Sequence, residues 1–229
     1  MWFGNSELVA IIITGTTRVY CWTTYHSSGL PIIQAFETHN YTNNELIDGK
    51  IFNHAQMRHD IHTFLQQHQI KKPFLALGIT PPHEKILFTP AQTLSADQFF
   101  ADESDQHTQS NSLYCGPTPN NQHLHYTCSL RHADLLHYKL LAHLMGLSLI
   151  QLTTINAALL HALCHKGLLD QKNQEESLQN YIKRSLNHYT LGEQVMISDI
   201  LSNQIDDHKE VVVSCLGLFL LGRRRNGKT

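Results

Sequence analysis

The chain has 229 residues, enough for one substantial core or two small subdomains sharing a sheet, and its 41% hydrophobic and 16% charged residues are those of an ordinary globular protein. Its 17 Lys and Arg nearly cancel its 19 Asp and Glu, and the basic residues are scattered apart from Arg223, Arg224 and Arg225, which excludes a broad basic face for nucleic acid. The same composition excludes disorder and collagen-like repeats.

Five cysteines, Cys21, Cys115, Cys128, Cys164 and Cys215, are widely spaced and form no CxxC pair, so reduced thiols in a cytosolic protein are expected. The opening MWFGNSELVAIIITG lacks a basic start and breaks its apolar run early, so no signal peptide is expected. Residues 9–14 form an apolar run that ends in a Gly/Thr turn, and 18–24 resume with alternating Val19 and Cys21, which predicts a hairpin. Residues 30–36 add a third antiparallel strand after the turn at 26–29, and Asp48-Gly49 marks a further turn. Within 54–68, Met57, Ile61, Phe64 and Leu65 fall on one helical face. Residues 74–79 read as a short buried strand of a parallel sheet.

Between 81 and 125 the character changes: Pro81, Pro82, Pro90, Pro117 and Pro119 punctuate short apolar patches, and 101–122 is polar. An inserted subdomain with a long exposed loop is expected, with 124–129 as the returning strand. From 130 to 165 the pattern is helix, turn, strand, helix. Ala133, Leu136, Leu140, Leu141 and Leu144 recur at helical spacing up to Gly146, and Leu147, Leu149 and Leu152 then alternate with polar residues. Asn156 is the expected N-cap of the second helix, whose Ala157, Ala158, Leu159, Leu160, Ala162 and Leu163 suit burial against a sheet. Helices are expected at 175–186 and 198–205, and 211–221, VVVSCLGLFLL, reads as a buried terminal helix or strand too short to span a bilayer.

These pieces together, IIITGTTRVY, ELIDGKIFNHAQM before a helix, GLSLIQLTTINAALLHA and a closing LGLFLLG, resemble the PilM family, actin-like proteins of type IV pilus assembly. The resemblance implies an α/β, ribonuclease-H-like (actin-like) mixed sheet with flanking helices. It divides the chain into a first actin-like subdomain at 1–80, a small inserted subdomain at 81–129, and a shortened, mostly helical second half at 130–229. It also implies a cytoplasmic protein, peripheral to the inner membrane, that grips the short cytoplasmic tail of a PilN-like membrane partner. In that family the first hairpin contacts nucleotide phosphates through an Asp-x-Gly-Ser/Thr pattern followed by a Lys. The residues carried over here are Gly15, Thr16 and Thr17, a vestigial phosphate loop, but Ile13 stands at the acidic position and Tyr20 at that of the Lys. An Ile offers no oxygen to the Mg²⁺ of a nucleotide.

Other chemistry is weighed against plainer readings. Gly222, Gly227, Lys228 and Thr229 spell G-x-x-x-x-G-K-T, yet a phosphate loop needs a following helix N-terminus, so a frayed basic tail is expected; a helix beyond Thr229 would reverse this. His161 and His165 lie at i, i+4 beside Cys164, and His59 and His62 share a face, but neither pair completes a zinc ligand set, so no metal site is expected. There is no G-x-S-x-G and no paired carboxylate at a common face, so no catalytic set is expected. The resulting expectation is a non-catalytic cytoplasmic adaptor of a type IV pilus or related envelope machine, without a cofactor. The alternative is an actin-like or sugar-kinase-like ATPase that binds ATP with an unrecognised second lobe.

Overall fold

The first apolar run is β1 (Leu8–Ile13), buried at every position. Side chains alternate across a strand, so a run with no polar position requires cover on both faces. Leu8, Ala10 and Ile12 belong to one core cluster, and Val9, Ile11 and Ile13 to a second on the opposite face. The computed structural model describes residues 7–25, 31–41, 46–47, 50–51, 53–71, 73–80, 83–89, 108–117, 123–169, 176–190, 196–197 and 208–226.

Antiparallel pairing joins β2 (Thr17–Tyr25) to β1 and β3 (Pro31–Asn40) to β2, as the hairpin pattern predicts. The short strands β4 (Leu46–Ile47) and β5 (Lys50–Ile51) also pair antiparallel, while the turn expected at Asp48 and Gly49 lies outside the described residues. The helix α1 (His54–Gln67) buries Met57, Ile61, Phe64 and Leu65, the face its spacing predicts, and the Asn53 side chain caps it by accepting the Gln56 N–H at 3.0 Å. After it, β6 (Phe74–Ile79) runs parallel to β1.

A separate antiparallel sheet follows, built from β7 (His83–Thr89), β8 (Thr108–Pro117) and a central β9 (His123–Arg131). Part of the loop expected at 101–122 is therefore strand: TQSNSLYCGP begins with polar residues, and its pairing with β9 is a long-range contact that no local pattern announces. The helix, turn, strand, helix order expected at 130–165 is observed as α2 (His132–Leu144), β10 (Ser148–Thr154) and α3 (Ile155–His165). Gly146 makes the turn at φ +71, a left-handed conformation that favours glycine.

Two local expectations are corrected. The N-cap of α3 is Thr154, whose hydroxyl accepts the Ala157 N–H at 3.1 Å; Asn156 lies inside the first turn. The inward face of α2 is Asp134, Tyr138, Leu141 and Ala142, so of the apolar set picked out by spacing only Leu141 is buried.

Beyond Lys166 come α4 (Leu178–Asn187) and β11 (Met196–Ile197), two residues that pair parallel with β3 and carry no strand signal of their own. The helix expected at 198–205 lies outside the described residues. The terminal segment is a helix, α5 (Lys209–Asn226), buried continuously from Val212 to Phe219. It continues through Asn226, so the tail expected to be frayed is helical to that point. Among the described residues no helix is long and apolar enough to cross a membrane.

The main sheet has the order β10-β6-β1-β2-β3-β11. Helices α3, α4 and α5 cover the face of Leu8, Ala10 and Ile12, and α1 and α2 cover the face of Val9, Ile11 and Ile13. Gly78 on β6 leaves room for this packing, because a Cβ there would already stand 3.2 Å from the Leu218 side chain of α5.

Candidate functional site

Ile13, Ile79 and Thr154 lie in one row of the sheet, so the parallel strands β1, β6 and β10 end together. Ligand crevices of open α/β sheets form beyond that edge. A cleft of about 190 Å³ lies there. Ile12 and Thr14 enter it from the end of β1, Thr80 from the residue after β6, and Ile155 and Asn156 from the first turn of α3. Gln179 of α4 and Glu210, Val211 and Ser214 of α5 complete its described walls.

The expected phosphate loop sits beside this cleft without lining it. Thr14 turns its hydroxyl inward across the hairpin: Oγ1 accepts the Thr17 N–H at 2.9 Å and the Thr16 N–H at 3.3 Å, and lies 2.9 Å from the Thr17 hydroxyl. The Thr16 carbonyl accepts the Tyr41 N–H at 3.0 Å. The hairpin's own hydroxyl thus occupies the amides that a phosphate would need. Gly15 does not adopt a left-handed φ, and a Cβ there would meet nothing within 4 Å, so neither backbone strain nor close approach demands glycine.

Pleating also decides which strand residue faces the cleft. Ile12 lines it, whereas Ile13 and Tyr20 are buried on the α1 and α2 side, Tyr20 against the rings of His39 and Phe64. Residue 12, not 13, is therefore the β1 position from which a metal-binding oxygen could enter the cleft, and it too is an isoleucine. Among the described wall residues Glu210 is the one ionisable group. Thr80, Asn156, Gln179, Glu210 and Ser214 belong to a polar rim that no spacing rule gathers, because five segments distant in sequence supply the walls.

The other sequence candidates separate. His161 is buried in α3, His165 is exposed, and His59 and His62 are exposed on α1. Among the described residues no three His, Cys, Asp or Glu side chains gather as metal ligands. Gly222 to Asn226 are helical, which is not the wrapped loop a phosphate-binding G-x-x-x-x-G-K-T requires.

No protein-family model matches the chain, and no curated protein matches it by sequence. Among solved structures, the chain is similar to one of a PilM-PilN type IV pilus biogenesis complex, with a TM-score of 0.55 and 14% identity. The match covers 71% of this chain and 51% of that one. The fold is actin-like and ribonuclease-H-like. The cytoplasmic domain of EpsL, an inner membrane component of the type II secretion system of Vibrio cholerae, matches with a TM-score of 0.41 at 7% identity, over 67% of this chain and 57% of that one. The ethanolamine utilization protein EutJ of Carboxydothermus hydrogenoformans gives 0.33 at 12% identity, over 68% and 39%. This chain thus spans about half the length of the PilM-PilN structure it matches. Its six-stranded sheet adds the two-residue β11 to the mixed five-strand arrangement of the actin-like fold.

Proposed function

We propose that this protein is a non-catalytic adaptor of a type IV pilus or related envelope assembly machine, one that binds the short cytoplasmic tail of an inner-membrane partner and is peripheral to the membrane through it. The observation that carries the reading is the state of the cleft where an actin-like protein would turn over a nucleotide. Thr14 ties up the hairpin amides, and the described walls hold one carboxylate and no Lys or Arg. A triphosphate brings several negative charges, and transfer of its terminal phosphoryl group relies on cationic and metal clamps around it. A volume of about 190 Å³ is also below the usual size of a small-molecule pocket, roughly 300 Å³ and upward.

The tail would be taken as an extended segment at the three-stranded sheet. Its outer strands β7 and β8 each pair with β9 on one side, and an added strand gains main-chain hydrogen bonds along such an edge. The PilM-PilN complex, similar to this chain in fold, holds a partner of the kind proposed.

Calorimetric titration with synthetic cytoplasmic tails of PilN-type membrane proteins tests the reading. Binding is expected, and a proline at Ile86 or Leu87 should abolish it at whichever position turns its N–H outward. Melting temperatures of the two variants separate lost binding from lost fold. Failure of every tail to bind, together with protection by Mg²⁺-ATP and release of phosphate, would overturn the adaptor reading in favour of the ATPase.

A further inference from the structure

Among the described residues, the large hydrophobic side chains that stand exposed are Leu136, Leu140 and Leu144, at 64%, 51% and 39%. All three belong to α2, spaced i, i+4, i+8, which makes them a single ridge along the helix. The inward side of α2 is already filled by Tyr138, Leu141 and Ala142, so the ridge is a second apolar side, surplus to the core. Singly exposed leucines need no explanation, but exposed leucines concentrated in one line mark a contact.

The exposed fixed charges of α2 and of the helix beside it have one sign. α1 lies beside α2, with the rings of His54 and His137 5.3 Å apart. Between them the two helices expose Arg58, Lys139 and several histidines. Their two carboxylates are withdrawn: Asp60 is paired with Arg18, and Asp134 is buried.

We propose that α2 is a docking surface for an amphipathic α-helix of another protein, whose apolar stripe packs on Leu136, Leu140 and Leu144 and whose rim is acidic. A ridge at i±4 spacing is the element that fits the groove of a second helix, in the commonest class of helix packing. An acidic rim complements Arg58 and Lys139. A second copy fits poorly, because a two-fold contact on Leu140 would set Lys139 against its own copy. A lipid surface fits poorly too: it would call for exposed aromatic anchors, and none of the described large exposed side chains is aromatic. This surface is independent of the tail-binding reading, since it lies on α2 and not on the three-stranded sheet.

The test uses the whole chain and two labelled synthetic helices of about 20 residues, each with a leucine stripe, one flanked by glutamates and the other by lysines. Fluorescence anisotropy should show the acidic-rim helix binding the chain and the basic-rim helix binding at least about tenfold more weakly. Leu140→Glu should abolish binding while leaving the melting temperature unchanged, because the side chain is exposed. Lys139→Glu should weaken the acidic-rim helix and strengthen the basic one. The proposal fails if neither helix binds, or if the two bind alike. It also fails if Leu140→Glu instead dissolves a dimer seen by sedimentation, or if that variant instead loses binding to vesicles of anionic lipid.

Discussion

At Gly217 two helices meet backbone to backbone: a Cβ on this residue of α5 would stand 1.9 Å from the Ala158 carbonyl oxygen of α3 and 2.5 Å from its carbon. A backbone group in a packed layer cannot step aside, so Gly217→Ala must separate the two helices along their contact. Overpacking typically costs about 1–3 kcal/mol, and this contact belongs at or above the upper end. Urea unfolding should show it, with the midpoint falling sharply or no folded protein recovered. Gly15→Ala is the matching control. Its Cβ would enter open space, and stability should stay within roughly 0.5 kcal/mol. The same variant should leave tail binding unchanged. Arg18 and Asp60 supply a third residue-scale case, a nearly buried ion pair supported by the Gln56 amide, which donates to Asp60 Oδ1 at 2.7 Å, and by the Tyr41 ring, whose centre lies 5.3 Å from the guanidinium carbon. Asp60→Ala would take the carboxylate away from that guanidinium and should cost about 1–3 kcal/mol by thermal or chemical unfolding. Polar Arg18, the second residue of β2, gives no sign in sequence of a partner 42 positions away.

At the scale of elements, Thr154 joins three pieces. It ends β10, caps α3 through the Ala157 N–H, and its hydroxyl lies 2.5 Å from that of Tyr126 in β9. This contact helps fasten the three-stranded sheet to the core, because Tyr126 belongs to the same buried cluster as residues of α3 and α5. Replacing Thr154 by Ala removes a cap, a loss of about 0.5–2 kcal/mol, and with it the bond to Tyr126. Thr154→Ser keeps the oxygen and should recover most of the stability; equal unfolding midpoints for the two variants would show that the hydroxyl does nothing. Thr154 and Asn156 are both good N-cap types and stand two residues apart, so residue type alone does not choose between them. Which of them turns helical is fixed by where β10 stops pairing with β6, and Thr154 is the last paired residue. On α2 the ambiguity is of another kind. Two leucine pairs, Leu135-Leu136 and Leu140-Leu141, leave the direction of the core undecided by spacing, and the choice of Leu141 with Tyr138 follows from where α1 and the sheet lie.

Across the whole molecule, burial has a consequence at alkaline pH. The Tyr138 phenol is pushed up to about 12, first by burial and then by the charge of Asp134, and burial alone pushes Tyr189 up to about 12. The Cys215 thiol is raised as well, by burial and by its hydrogen bond with Cys21. For such groups the folded state holds its protons more tightly than the unfolded chain. For the two tyrosines the contribution is complete below their ordinary value near 10 and is lost as pH rises toward 12. Melting temperature should therefore fall over this window, and Tyr189→Phe should make the fall shallower; a flat profile to pH 12 would contradict it. The layered α/β architecture itself was legible along the chain. An all-apolar β1 demands cover on both faces, α1 shows its inward stripe plainly, and the helix, turn, strand, helix order of 130–165 stands as expected. These are local facts, since hydrophobic period and turn chemistry act over a few neighbouring residues. What only the tertiary structure decided is whatever depends on residues far apart: the pairing of the polar β8 with β9, the two-residue β11 beside β3, and the direction in which Ile12 and Ile13 part at the end of β1. The cleft is of the same kind, assembled from the ends of β1, β6 and β10 with α4 and α5, because its walls come from segments whose proximity is created by packing and is written in no single stretch of chain.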